Sequence, residues 1–135
     1  MKINLILTAA VLATGVASVA FTIDQQPKPW PVPDKNAKMP NTVKSNGESI
    51  AAGKALWNMH CSSCHGKTGL GDGSKSAQLK TQPQDLSKAA LQSQSDGSLA
   101  FKISEGRDDM PSFKKKIPDQ EDIWNLVNFV RTLKK

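Results

Sequence analysis

The sequence lacks the features typical of β-rich or nucleic-acid-binding proteins. No stretch alternates apolar and polar residues as a half-buried strand does, and no segment repeats. The basic residues are dispersed without a binding motif, so the net charge of +6 does not indicate a nucleic-acid partner. Aromatic residues are three tryptophans and four phenylalanines, with no tyrosine, and 135 residues suffice for one domain. With so few aromatic residues, the chain is compatible with a core that is completed by a large organic group.

Charge is absent from the N-terminal region after Lys2. The run Ile3 to Ile23 has no charged residue, and the small residues Ser18 and Ala20 occupy positions −3 and −1 of a signal-peptidase site. We interpret residues 1–20 as a signal peptide. The alternative is an uncleaved membrane anchor reaching to about residue 23, because this run is just long enough to span a bilayer. Both interpretations place the folded part in the periplasm or otherwise outside the cytoplasm, and the second anchors it to the cytoplasmic membrane.

A proline-rich segment follows the leader. Proline occupies every second position from Pro27 to Pro33, which removes the amide donors that a helix or an inner strand needs. We predict an extended linker over residues 24–43 and a compact domain over 44–135.

Three segments of the compact part carry helical signals, and the rest is loop, which predicts an all-α domain. The first starts at the capping-box spacing Ser45 to Glu48 and runs to the cysteines. The second runs from Asp96, as its cap, to Glu105. The third follows Pro118 and has acidic residues in its first turn and basic residues in its last. A short helix is expected around 85–91.

Both cysteines and both histidines lie between His60 and His65. Cys61-x-x-Cys64-His65 is the attachment motif of c-type haem, because two thiols three positions apart reach the two vinyl groups of one porphyrin and the next histidine reaches the iron. The predicted cofactor is one covalent haem c. A thioredoxin-like pair would need a βαβ pattern, a zinc site would need a second, distant ligand pair, and a disulfide would leave His65 unexplained.

The iron of a haem takes either a sixth protein ligand or an open site. Met110 is the methionine in a suitable place, in a loop after the second helix, and Pro111 restricts its backbone to an extended conformation. The other methionines lie in the leader, in the linker and too close to the proximal ligand: Met1, Met39 and Met59. We predict His65 and Met110 as metal ligands. The alternatives are a gap-filling core methionine and a haem enzyme or sensor with a labile sixth ligand.

Residues 45–133 resemble the small class I cytochromes c, particularly the bacterial monohaem type. That family has a glycine eight residues and an aromatic residue four residues before the first haem cysteine, and Gly53 and Trp57 stand there. Taken alone, Gly53 marks either a close helix crossing or a tolerated glycine. The resemblance implies the crossing, with Leu126 and Phe129 packed against Gly53, and a cytochrome c fold of three core helices and loops around the haem.

The resemblance also implies a proline whose carbonyl accepts a hydrogen bond from the proximal imidazole. Pro83 is the candidate, although its spacing to Leu86 is one residue longer than in the commonest pattern. The cofactor-binding residues are therefore predicted as Cys61, Cys64, His65, Met110 and Pro83.

The expected function is that of an electron carrier rather than an enzyme. The chain is predicted to shuttle single electrons between respiratory redox partners, with His/Met ligation closing the iron to substrates. The run Lys114 to Lys116 follows the Met110 loop, and our hypothesis is that it docks an acidic redox partner; a solvated loop is the ordinary alternative. The main alternative is a haem-bearing subunit of a larger oxidoreductase complex, for which the linker and the undecided anchor leave room.

Overall fold

The computed structural model describes residues 29–135, so the predicted leader and the first residues of the linker lie outside the described residues. Within 29–135 the regular structure is helical and contains no strand, which confirms the all-α prediction. No helix in this range is both long and apolar enough to cross a membrane. The elements are α1 (Asp34–Ala37), α2 (Gly47–His60), α3 (Ser62–His65), a 3₁₀ turn (Ser76–Gln78), α4 (Ala89–Gln92), α5 (Asp96–Glu105) and α6 (Gln120–Arg131).

Helix α2 begins one residue later than the capping-box spacing predicts. Its N-cap is Asn46, whose side chain accepts a hydrogen bond from the Ser49 backbone N–H at 2.9 Å, so the prediction of Ser45 as the cap is wrong. Asparagine and serine cap equally well, and a sequence with both in succession does not decide between them.

Helices α2 and α6 cross at Gly53. A methyl group built on Gly53 would lie inside contact distance of the Asn125 carbonyl oxygen and 2.9 Å from Phe129 Cβ. The close crossing implied by the resemblance is thus confirmed, with Phe129 as one predicted partner. The second contact is the Asn125 carbonyl, while Leu126 is buried in the core behind it.

Helix α6 is buried on all sides from Ile123 to Val130 and supplies six of the fourteen core side chains of the described residues. Asp119 caps it by accepting a hydrogen bond from the Glu121 N–H at 2.9 Å. The polar Asn128 is also buried, because its amide donates to the Ser49 hydroxyl at 2.8 Å and to the Val43 carbonyl at 3.2 Å. The core side chains of α6 are Ile123, Trp124, Leu126, Val127, Phe129 and Val130.

Helix α5 has the predicted bounds but a different cap. Ser95 caps it by accepting from the Ser98 N–H at 3.2 Å, and the predicted cap Asp96 instead accepts two hydrogen bonds from the Arg131 guanidinium, at 2.8 and 2.6 Å. The helix ends at Gly106, whose φ of 69° suits glycine. The short helix expected around 85–91 is found as α4, displaced toward the C-terminus.

The proline-rich segment is not extended throughout. Residues 34–37 form α1, and Asn36 and Ala37 donate backbone hydrogen bonds to the Pro33 carbonyl. The Ser95 hydroxyl donates to the Ala37 carbonyl at 2.6 Å, and the Asn41 amide donates to Asn128 at 2.9 Å. The prediction of an extended linker is therefore corrected for these residues, because the prolines precede the helix and leave its donors intact. The predicted boundary at residue 44 remains a prediction.

Candidate haem site

The Cys-x-x-Cys-His motif occupies one turn at the end of α2. Cys61 is both the C-cap of α2 and the N-cap of α3, and the His65 N–H donates to the Cys61 carbonyl at 2.9 Å. The continuous run of helical backbone from Trp57 brings Cys61, Cys64 and His65 into the same turn, so the structure assembles the predicted attachment residues at one place.

The two thiols are free in the described structure, with Cys61 buried and Cys64 partly buried. Burial, and then the neighbouring Cys64, raises the pKa of Cys61 to about 12. This sulfur is therefore a neutral thiol at physiological pH. Residues 29–135 contain no cluster of three His, Cys, Asp or Glu side chains arranged to hold a metal ion, so the zinc alternative has no assembled site there.

The His65 imidazole packs against an aromatic wall. Its ring centroid lies 5.7 Å from that of Trp57, and the Trp57 indole N–H donates to the Gly66 carbonyl at 3.1 Å. Burial lowers the pKa of His65, which favours the neutral form that can ligate a metal. Its Nδ1 is buried without a hydrogen-bond partner among the described residues. A metal-ligating histidine uses its second ring nitrogen to donate to a carbonyl or carboxylate. If Nε2 ligates the iron, Nδ1 is that second nitrogen, and it has no such partner here.

Pro83 lies beside the loop that starts at His65. Gly71 donates to the His65 carbonyl at 2.9 Å, and the Cα of Gly71 faces the Pro83 carbonyl so closely that a Cβ there would meet the oxygen. The hydrogen bond expected between the imidazole and this carbonyl is nevertheless not formed, because Nδ1 has no partner. In the structure the carbonyl points at Gly71. Pro83 as a cofactor-binding residue therefore stays a prediction.

Met110 lies in a tight turn after α5. The backbones of Arg107 and Met110 exchange hydrogen bonds of 2.8 and 2.9 Å, and Asp108 between them has a φ of 52°, which is unusual outside glycine. The Met110 side chain is half-buried and packs against the core. The structure thus gives Met110 a defined backbone position, while its role as iron ligand stays a prediction.

Two long-range contacts bring the loops together around the motif. The Thr81 N–H donates to an Asp109 carboxylate oxygen at 2.8 Å, which joins the Pro83 loop to the Met110 turn. On another side, the ring of His60 lies 5.9 Å from that of Phe113, which follows the Met110 turn. These contacts have no local sequence signal, since each pairs residues far apart in the chain.

The residues fit a haem by the chemistry of the donor set. Two free thiols at the attachment spacing, a partly buried imidazole with a lowered pKa and a methionine in a hydrogen-bonded turn fit covalent haem and a His/Met pair. Together with the all-α fold, they define the class of c-type cytochromes.

The comparisons with known proteins give the family. The family model described as cytochrome c oxidase, cbb3-type, subunit III matches residues 48–130. The chain belongs to this family of c-type cytochrome domains. A c-type cytochrome domain carries haem c, the cofactor through which such domains transfer electrons.

The solved structures that are similar to the chain include the following two, and no curated protein matches it. One is the Kuenenia stuttgartiensis reducing HAO-like protein complex Kustc0457/Kustc0458, with a TM-score of 0.62 and 23% identity over 83% of this chain and 53% of the other. The chain thus spans about half the length of that protein, and the likeness shows the fold. The other is the KustC0563 c-type cytochrome, with 31% identity, a TM-score of 0.49, and coverage of 62% of this chain and 98% of the other.

Proposed function

We propose that the chain carries a single haem c, attached through Cys61 and Cys64 and ligated by His65 and Met110. In this proposal it passes single electrons between respiratory redox partners outside the cytoplasm. The observation that carries the proposal is the turn at 61–65, where two free thiols at the attachment spacing adjoin a partly buried imidazole. When bound, the haem supplies the one-electron couple of its iron.

The protein side chains have separate tasks in this scheme. The thiols of Cys61 and Cys64 fix the cofactor to the end of α2, which is itself held by the Gly53 crossing. Trp57 holds the turn after His65 through its bond to the Gly66 carbonyl and covers the imidazole with its ring. Exclusion of water by these groups keeps the ligand set unchanged when one electron is gained or lost.

In this proposal Met110 separates a carrier from a catalyst. Its thioether would ligate the iron, which would favour the ferrous state and exclude a substrate from the metal. The turn that holds Met110 is tied to the Pro83 loop through Asp109 and to α5 through Phe113, whose N–H donates to the Ser104 carbonyl at 3.1 Å. Such a supported turn suits a ligand retained in both redox states.

A second candidate is a haem-bearing subunit of a larger oxidoreductase. It is favoured by the family description, which names a subunit of an oxidase. The two candidates share the site and differ in partners, so purification from membranes of a host that expresses the tagged chain distinguishes them. Stable co-purification with other redox subunits supports the subunit, and recovery of the chain alone supports the carrier.

The ligand assignment is tested with methionine variants of the haem-loaded protein. Oxidised wild-type protein should show the weak far-red sulfur-to-iron charge-transfer band, and Met110→Ala should lose it and bind carbon monoxide when reduced. The matched control is Met59→Ala, because Met59 lies two residues before the motif and is 73% exposed. Loss of the band in the control, or its survival in Met110→Ala, would refute the assignment.

Haem number and location have their own measurements. One iron and one porphyrin per chain, with no haem retained by a Cys61→Ala, Cys64→Ala double variant under denaturing conditions, are expected for a single covalent site. An N-terminus starting at Phe21 in protein recovered from the periplasm is expected if residues 1–20 are removed, whereas an intact N-terminus in the membrane fraction indicates the anchor.

A further inference from the structure

Trp30 reaches the Met110 turn from the segment that precedes the family-matched region. Its ring lies 4.4 Å from the Arg107 guanidinium carbon, and an Arg107 Nη1 donates to the neighbouring Pro29 carbonyl at 2.9 Å. The dipeptide therefore holds Arg107 by two different interactions, one with the face of a ring and one with a backbone oxygen. Both partners lie before residue 48, where the family match begins.

Arg107 is half of the turn that fixes Met110. The two residues exchange both backbone hydrogen bonds, so a shift of the Arg107 backbone moves Met110 with it. The intervening Asp108 has a left-handed φ of 52°. A non-glycine residue in that conformation is retained when its surroundings hold it there. The Arg107 side chain, 30% exposed, is one such support, and it also lies 3.5 Å from the Asp108 carboxylate.

A second cation shares the Trp30 ring. Lys102 Nζ lies 5.6 Å from the ring centroid and also donates to the Gln94 side chain at 2.5 Å. Burial, and then the charge of Arg107, lowers the pKa of Lys102. The Trp30 ring attracts both cations.

We propose that Trp30 is a positioning residue for Met110, acting through Arg107. The Trp30 ring and the Pro29 carbonyl fix the position of the Arg107 guanidinium. This restrains the Arg107 backbone, which is hydrogen-bonded to the backbone of Met110. The inference deepens the proposed function and rests on it only where Met110 is treated as the iron ligand. It gives the proline-rich segment a role in the stability of the iron site, in addition to any role as a connection.

The experiment compares three variants of the haem-loaded full chain with wild type. Trp30→Ala removes the ring, Trp30→Phe retains a ring face, and Lys38→Ala is the matched control in the same segment, since Lys38 makes only an exposed pair with Asp34. Amide hydrogen exchange at Met110 and Arg107 reports on the turn itself. Binding of added imidazole to the oxidised protein reports on release of the sixth ligand.

The expected change is about two- to fivefold, the effect of one cation–π contact near the surface. In Trp30→Ala the Met110 amide should exchange faster, and imidazole should bind more tightly, each by this factor. Trp30→Phe should restore at least half of the change on a logarithmic scale. Lys38→Ala should match wild type.

Two results would overturn the inference: exchange at Met110 in Trp30→Ala equal to wild type, or an equal acceleration in Lys38→Ala. The failure of the proposed ligand set has a different signature, because Met110→Ala would then keep the far-red band. In that case imidazole binding no longer reports on the turn, and the exchange measurement, which does not depend on the iron ligand, decides the inference alone.

Discussion

The crossing of α2 with α6 and the loops around the motif are held by different kinds of interaction. At the crossing, Gly53 allows the helices to approach until the Asn125 carbonyl and Phe129 fill the space beside it. Buried apolar side chains form the remaining contacts. The loops between 66 and 88 and between 106 and 113 each place one side chain in the core, Leu86 and Phe113. Elsewhere they are held by scattered hydrogen bonds, and parts of their backbone have unusual conformations. Positive φ occurs in them at Gly66, Gly69, Gly71, Gly106 and Asp108.

The difference matters because the predicted ligands are divided between the two regions. His65 and the thiols lie at the end of α2 and share the rigidity of the crossing, whereas Met110 and Pro83 lie on loops. Packed cores change volume with difficulty, while loops are altered at lower cost. Attachment of the haem should therefore be insensitive to changes in the loops, and properties set by Met110 should be sensitive to them.

The largest effect is expected from Gly53→Ala. The added methyl would meet backbone atoms of Asn125, including its carbonyl carbon at 2.6 Å, so the helices must separate. We expect a loss of about 3 kcal/mol or more in the free energy of unfolding, at the upper end of overpacking effects. Denaturant unfolding of the haem-loaded protein measures it.

Gly47→Ala is the matched control for this change. Gly47 starts the same helix, and nothing lies within 4 Å of its added methyl. Its stability should equal or slightly exceed that of wild type, because alanine is the better helix former. Similar losses in both variants would mean that helix propensity, and not the crossing, dominates at Gly53.

The sequence predicts the crossing region well because its signals are local. Helical spacing places Gly53, Trp57 and Cys61 on one face, and the acidic residues after Pro118 fix the start of α6. The motif at 61–65 is contiguous, so its assembly needed only a helix to hold it. Local signals were less reliable at helix caps, where Asn46 and Ser95 replace their predicted neighbours.

The loop region was less predictable because its contacts join distant residues. Nothing in the sequence around Thr81 points to Asp109, and nothing around Trp30 points to Arg107. The close approach of the Pro83 carbonyl to Gly71, and the missing hydrogen bond to the His65 Nδ1, likewise have no local sequence signal. The prolines before Asp34 exclude a helix only at their own positions. The prediction of an extended linker applied this to the whole segment, and so it missed α1 and its packing on α5.

A smaller effect is expected from Asn128→Ala, which tests how the N-terminal segment is joined to the crossing. The change leaves the Ser49 hydroxyl and the Val43 carbonyl without their buried partner. We expect a loss of about 2 kcal/mol in unfolding free energy, the cost of unsatisfied buried groups. Asn58→Ala, at an exposed position of α2, should stay within about 0.5 kcal/mol of wild type. Equal stabilities of the two variants would contradict a structural role for this network.

Gly71→Ala brings the same methyl group to the loop region. Its φ of 81° is unfavourable for alanine by about 1–2 kcal/mol, and the methyl would displace the Pro83 carbonyl. Because the loop can move, the loss of stability should be smaller than for Gly53→Ala. Amide exchange should accelerate at Leu86, whose N–H donates to the Gly69 carbonyl at 2.7 Å, more than in α6. Uniform acceleration throughout the protein would show that the two regions unfold as one unit.

The smallest effect is expected from Asp109→Ala, which removes the bond between the Pro83 loop and the Met110 turn. The bond is exposed, so its loss should cost about 0.5 kcal/mol, seen as roughly twofold faster exchange of the Thr81 amide. Asp34→Ala, which removes only an exposed pair with Lys38, is the control and should leave the Thr81 amide unchanged. If exchange at Met110 also accelerates in Asp109→Ala, the two loops support each other. If only Thr81 responds, the turn is held from the side of Arg107 and α5, and its dependence on the Pro83 loop is negligible.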